Sequence, residues 1–332
     1  MNLADSRILV TGGAGFIGSA LVWELNRRGA EQIVVSDLLG STTKWLHLRP
    51  LKFEDYLEAD ELLDSLRSGD LGQFDLALHM GACSSTTEQD AAWLIRNNYE
   101  FTKDLAYWAL HTGARFVYAS SAATYGDGSA GMSDDDNLDS LHGLRPLNMY
   151  GYSKHLFDLY AARSGWLSDV VGLKYFNVFG PNEEHKADMR SVAHKAYEQV
   201  RETGAARLFR SYNPDYADGE QVRDFLYVKD AVDMTLHLAA SRAVGLFNVG
   251  SGVASSWNSL ATAVFAALGK EARIEYIDMP PEIRDRYQYF TQADISKLRD
   301  TGYDAPVTEL DAAVADYVQN YLVPGKALGE ED

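Results

Sequence analysis

The chain of 332 residues contains one cysteine, Cys83. An internal disulfide framework is thereby excluded, and a reducing compartment such as the cytoplasm is expected. Basic charge is also scarce: 30 Lys and Arg stand against 48 Asp and Glu, for a formal net charge of −18. Such a field disfavours nucleic acid and anionic membranes as partners, and it suits a solvated acidic surface. No apolar run is long enough to span a bilayer, and Met1 to Arg7 show neither the basic flank nor the apolar core of a secretory signal. Ser133-Asp134-Asp135-Asp136-Asn137 lacks the ordered ligand spacing of a calcium loop, so no metal is expected. Repeats and low-complexity tracts are also missing.

What is present is an ordinary globular composition, 46% hydrophobic and 23% charged. The length suits one large α/β domain or two coupled lobes. Arg7 to Thr11 reads as a buried parallel strand. Thr11-Gly12-Gly13-Ala14-Gly15-Phe16-Ile17-Gly18 follows, then an apolar-periodic helix through Leu21, Val22 and Leu25 that ends near Gly29. In that context Gly12 permits a tight turn, Gly15 lets the backbone approach a pyrophosphate, and Gly18 lets helix and strand pack closely. A glycine turn without a ligand has the same composition; the flanking strand and helix favour a dinucleotide. Gln32 to Asp37 reads as the second strand, with Asp37 placed to bond an adenosine ribose. Lys44 follows closely enough to neutralise a 2′-phosphate, which leaves NAD and NADP both open.

Phe74 to His79 reads as a strand, followed by a small-residue turn from Met80 to Glu88 on the ligand side of the sheet. Arg115 to Ser120 delivers Ser121 just beyond its carboxyl end, where a hydroxyl can donate to a substrate oxygen or cap a turn. Tyr125 to Leu147 reads as a solvated polar loop. In the next helix, from Tyr150 to Arg163, Tyr150 and Lys154 leave one face one turn apart. An ammonium there is expected to lower the phenol's pKa, so that the phenol exchanges a proton while hydride moves to or from a nicotinamide. The same spacing also occurs in inert surface pairs. Val170 to Tyr175 is a further strand, and Gln221 to Lys229 and Leu246 to Gly250 read as returns to the sheet region.

The glycine loop, the run from Ala119 to Gly126 and Tyr150-Gly151-Tyr152-Ser153-Lys154, in this order, resemble the extended short-chain dehydrogenase/reductase family. The resemblance implies an α/β fold: a Rossmann-type doubly wound parallel sheet with a smaller mixed α/β substrate-binding lobe. Residues 1–176 plus about 222–250 would form the NAD(P)-binding domain, about 177–221 plus 251–325 the lobe, and 326–332 a flexible tail. It further implies tightly held NADP, or NAD, one per subunit. Its contacts would be Gly12, Gly15, Phe16, Ile17, Gly18, Asp37, Leu38, Lys44, Gly81, Ala82, Cys83, Ser84, Asn97 and Val178, with Tyr150 and Lys154.

Gly81 to Glu88, Pro146 to Lys154, Tyr175 to Pro181 with His185-Lys186, Arg286-Tyr287-Gln288 and Phe290 to Asp294 resemble, within that family, the branch that acts on ADP-heptose. The likeness runs from Ile8 to about Tyr321. It implies inversion of C6 of ADP-D-glycero-β-D-manno-heptose through a transient aldehyde, a step toward lipopolysaccharide core. Tyr150 and Lys186 would handle protons on opposite faces, supported by Ser121 and Lys154. Ser121, Asn177, Lys186, Phe209, Ser211, Arg223 and Tyr287 would line the substrate pocket, with Arg223 on the diphosphate, and a closed homo-oligomer, a pentamer, would form. Ala187-Asp188, Ala59 and two lengthened loops, Asp127 to Leu144 and Tyr212 to Gln221, depart from that pattern. A UDP-hexose 4-epimerase and a non-catalytic NAD(P)-binding sensor are the competing readings. A 4,6-dehydratase is disfavoured, because Ala122 and Ala123 precede Thr124, Tyr125 and Gly126 and no acidic pair follows the serine.

Overall fold

Ile8–Thr11 is buried on both faces, as a strand between two helix layers must be, and forms the central strand β1. The computed structural model describes residues 1–284 and 287–330. The other strands are β2 (Ile33–Asp37), β3 (Asp55–Glu58), β4 (Leu76–His79), β5 (Arg115–Ser121), β6 (Val171–Tyr175), β7 (Asn177–Phe179), β8 (Ala206–Phe209), β9 (Val222–Tyr227), β10 (Gly245–Val249), β11 (Ala254–Ser256) and β12 (Ile274–Ile277). Seven of them form one parallel sheet in the order β10-β6-β5-β4-β1-β2-β3. Strand order reverses between β1 and β4, which opens a crevice at their carboxyl ends. The Rossmann-type α/β expectation is met.

The helices include α1 (Phe16–Arg27), α2 (Trp45–Leu48), α3 (Ala59–Ser68), α4 (Ala91–Leu94), α5 (Phe101–Thr112), α6 (Leu138–Gly143), α7 (Met149–Arg163), α8 (Val192–Thr203), α9 (Val228–Ala240) and α10 (Trp257–Ala267), with short helices following at Pro281–Arg284, Ser296–Asp300 and Leu310–Asp316. Alternate residues of β1 feed two cores. Ile8 and Val10 join Leu21, Leu25 and Val232 on one face, while Leu9 joins Leu105 and Phe157 on the other. Two small sheets, β11-β9-β7 and β12-β8, build the second lobe. Among the described residues no helix is long and apolar enough to cross a membrane.

Three expectations need correction. Gln221 to Lys229 does not return to the central sheet. Its strand β9 pairs with β7 and β11 because Asn177–Phe179, just past β6, offers a free edge, and the chain then enters α9. The stretch from Tyr125 to Leu147 is not a solvated loop. Strand β10 is a sheet edge, and the Asn248 amide on it donates to the buried Asp134 carboxylate at 2.9 Å. Residues 326–330 are not a free tail: Leu328 is fully buried, its amide donates to Asn182 Oδ1 at 3.0 Å, and Glu330 pairs with Arg49. Glu331, Asp332 and Arg286 lie outside the described residues.

Candidate active site

The crevice is shaped by close backbone approach. Gly12 has φ +66°, and a Cβ on it would sit 2.6 Å from the Gly81 nitrogen, across from the end of β4. A Cβ on Gly18 would lie 2.0 Å from the Gly12 oxygen, so α1 meets the turn only because both residues are glycine. The helix starts at Phe16 with Gly15 as its cap and no side chain on its first amides. Those amides and the helix dipole form a ready site for a diphosphate.

Asp37, at the end of β2, is nearly buried and fully used. Oδ2 accepts from the Ala14 amide at 2.9 Å, and Oδ1 accepts from the Leu38 amide at 2.7 Å and Lys44 Nζ at 2.6 Å. Gly12, Asp37, Leu38, Lys44, Gly81, Ala82, Cys83 and Asn97 line one cavity of about 300 Å³, with Trp93 and Phe101 as aromatic wall. Among the described residues Lys44 is its one basic side chain. The arrangement fits a nicotinamide dinucleotide: an open helix start, an acid for the ribose, and an aromatic wall for the base.

A second cavity of about 370 Å³ lies beside the first and shares Ala82 with it. Phe16, Ile17, Ser84, Ser121, Tyr150, Lys154, Asn177, Val178 and Lys186 line it. Local sequence explains the convergence. Asn148 caps α7 by accepting from the Gly151 amide at 2.8 Å. A Cβ on Gly151 would stand 2.7 Å from the Ala123 oxygen, so this glycine lets α7 press against the turn that follows Ser121. Ser121 is the last residue of β5 rather than the residue beyond it. Its hydroxyl accepts from the Ala123 amide and is hydrogen-bonded to the Tyr150 phenol.

The electrostatics differ from expectation at one point. Burial pushes the Tyr150 phenol above its ordinary pKa, opposed by the Ser121 hydrogen bond. The expected lowering by Lys154 is not found: burial is the largest influence, and only the Ser121 hydrogen bond opposes it. Lys154 is itself pulled down to about 8 by burial, against the charge of Asp158, and its Nζ donates to the Ala119 oxygen at 2.8 Å. Burial likewise lowers Lys186, against Glu183, and its Nζ sits 5.3 Å from the Phe16 ring centroid. The cavity thus holds a phenol that keeps its proton and two amines that release theirs more readily than in water.

Asn97 lines the dinucleotide cavity while its Nδ2 donates to the Trp93 oxygen. Sequence reasoning missed its neighbour. Asn98 is fully buried, accepts from the Cys83 amide and donates to the Cys83 oxygen, each at 2.9 Å, and also donates to Ser153 Oγ in α7. Its position four residues after the buried Leu94 and four before the buried Thr102 was the available signal of an inward-facing polar side chain.

The second-lobe residues do not line either cavity. Arg223 is 6% exposed and packs with its guanidinium 5.2 Å from the Tyr287 ring and 5.6 Å from the Trp257 ring. Trp257, also missed, does line the second cavity. Arg223 has no carboxylate partner among the described residues, and burial lowers its pKa. Phe209 ends β8, and the Ser211 hydroxyl donates to the Asn213 oxygen, so both stand further out. Asp188 is exposed and away from the cavity lining.

A family model described as the NAD dependent epimerase/dehydratase family matches residues 8–250. The chain is 54% identical over 316 residues to the ADP-L-glycero-D-manno-heptose-6-epimerase of Nitratidesulfovibrio vulgaris, covering 95% of this chain and 97% of that one. Among solved structures it is similar to the Helicobacter pylori ADP-L-glycero-D-manno-heptose-6-epimerase, with a TM-score of 0.79, 29% identity, and coverage of 96% of this chain and 97% of that one. The Thermus thermophilus UDP-glucose 4-epimerase complex with NAD gives a TM-score of 0.73 at 25% identity, covering 94% and 99%.

Proposed function

This chain belongs to the NAD dependent epimerase/dehydratase family, and we propose that it is an isomerase that inverts C6 of ADP-D-glycero-β-D-manno-heptose. The observation that carries this is the meeting of Ser121, Tyr150 and Lys154 with Lys186, from a separate loop, in one cavity beside the glycine turn. In an inversion without net redox change the hydride leaves and returns on opposite faces of the reacting carbon, and two separate proton-handling groups in one cavity suit the carbinol oxygen in both orientations.

The nicotinamide, when bound, supplies a place for a hydride to leave and return, so the C6 carbinol passes through the aldehyde level and back. Tyr150 holds its proton, as a buried phenol does, and is suited to give it to the C6 oxygen as the aldehyde is reduced, regaining it when the carbinol is oxidised in the reverse direction. Ser121 hydrogen-bonds the same phenol and orients it. Lys154, anchored on the Ala119 oxygen, provides positive charge beside developing phenolate. Lys186, its amine desolvated, handles the proton from the opposite side. Arg223, a buried cation with no carboxylate partner among the described residues, is suited to a substrate phosphate. Asn177 offers an amide to a sugar hydroxyl.

For the cofactor, the reading is NADP, with NAD accommodated. Lys44 beside Asp37 supports it, because the lysine offsets the carboxylate against a 2′-phosphate. A cytoplasmic enzyme in a closed homo-oligomer completes the reading, supported by the free Cys83. Extraction of bound nucleotide from purified protein identifies the cofactor, and light scattering gives the assembly. Stopped-flow absorbance on adding the ADP-sugar should show small, transient cofactor reduction. Stoichiometric, lasting reduction would mean a dehydrogenase instead.

A further inference from the structure

The glycine turn and the Lys186 loop are tied by a side-chain pair that no step above uses. His47, in α2, is fully buried. Its Nδ1 lies 2.8 Å from the main-chain oxygen of Ala14, inside the glycine turn. Its Nε2 lies 2.5 Å from Oε1 of Glu184, two residues before Lys186. A carbonyl oxygen only accepts, so Nδ1 carries a proton. The Nε2 contact then needs a second proton, because an imidazole lone pair facing a carboxylate would repel it. Burial pushes the Glu184 carboxyl up, yet its hydrogen bond to His47 and the charge of that ring leave it below its ordinary value.

The geometry around Lys186 shows why this matters. Its loop contains Ala187 at φ +46°, a conformation an alanine does not hold unaided. Lys186 reaches the cavity over Phe16, the first residue of α1. Asn182 adds a second tie, donating to Ser19 Oγ in α1 at 2.9 Å.

We propose that His47 and Glu184 form a latch that positions Lys186 against the glycine turn. The proposal rests on the reading of Lys186 as the second proton-handling group. Both are positioning residues; neither lines the catalytic cavity. The other titratable or charged groups near the latch are Lys44, at the start of α2, and His185 and Lys186 on the loop. Burial, with the charge of His47 next, lowers His185 to about 4, so it stays neutral while the latch works. Its ring stands edge-on to His47 at 5.0 Å. In Glu184→Gln an amide N–H donates to Nε2 in place of the carboxylate contact, and the tie is kept.

The experiment uses the purified holoenzyme and two readouts. One is the rate at which an amine-acylating reagent labels Lys186, followed by mass spectrometry; the other is kcat and KM. Glu184 is half-exposed, so Glu184→Ala is compatible with folding, and its bound cofactor content checks that. Glu184→Ala should label Lys186 faster and lose roughly 10–100-fold in kcat with a smaller change in KM, as displacement of a positioned group does. Glu184→Gln, whose amide N–H can donate to Nε2 and keep the tie, should label Lys186 at close to the wild-type rate. Wild-type labelling and kcat in Glu184→Ala, or labelling in Glu184→Gln as fast as in Glu184→Ala, overturns the latch. Lys186→Met separates the two readings. If that variant still epimerises, the catalytic role of Lys186 fails, while the labelling rates still decide whether the latch positions its loop.

Discussion

Lys174 Nζ and Asp158 Oδ2 stand 2.9 Å apart with both side chains fully buried. The pair is completed by Tyr118 and Ser120, whose hydroxyls donate to Asp158, and by Thr124, which accepts from Lys174. It joins β5, β6 and α7, the elements that carry Ser121 and Tyr150. Removing one partner leaves an unpaired buried charge, so Asp158→Ala should cost about 3–5 kcal/mol of unfolding free energy. Lys174→Met together with Asp158→Leu should lose much less than the single variant. Urea unfolding of the three proteins measures this, and equal losses would assign the effect to packing alone.

Ala187 pairs φ +46° with ψ −121°, a region open mainly to glycine. Ala187→Gly should raise stability by about 1 kcal/mol, the relieved strain exceeding the extra chain entropy of glycine. A lower melting temperature in the variant would contradict this.

How much of this was legible in sequence depended on the range of the interaction concerned. The glycine turn and the shared face of Tyr150 and Lys154 are local geometry, and both stand as read. The direction of the Tyr150 pKa was not legible, since it depends on burial set by Gly151 meeting Ala123 across the fold. Strand β9 was misplaced for the same reason: an apolar run does not say which edge it joins. Asn97 was picked by pattern, while Asn98, which clamps the Cys83 turn to α7, shows its role only once that turn is in place. The docking of Leu328 depends on Asn182, 146 residues away.

His79 gives a pH signature. Buried between the hydroxyls of Thr11 and Thr102, it is lowered to about 3 by burial and then by the Lys154 charge. The unfolded chain takes up this proton near 6.5, the folded chain only near 3. Between those values the unfolded state binds more protons, so stability rises with pH and is lost on acidification, by at most about 1.4 kcal/mol per pH unit. His79→Gln should flatten that slope in chemical unfolding measured across the window; an unchanged slope would mean that His79 is not held neutral.

Arg223 is predicted to act through substrate binding. Arg223→Met, which preserves the packing between Trp257 and Tyr287, should raise KM roughly 10–100-fold, the worth of a charged hydrogen bond, with a smaller change in kcat. A larger fall in kcat than rise in KM would place the guanidinium at the chemistry instead.

The central claim is that Tyr150 handles a proton at C6. Its most direct test is C6 configuration followed by NMR during incubation with ADP-D-glycero-β-D-manno-heptose, for wild type beside Tyr150→Phe. Wild type should generate the L-glycero epimer with no net change in cofactor. The variant, with cofactor still bound, should slow by about 10²–10⁴-fold, the usual contribution of a positioned acid–base group. Wild-type rates in Tyr150→Phe, or no epimer from wild type holding its cofactor, would contradict it.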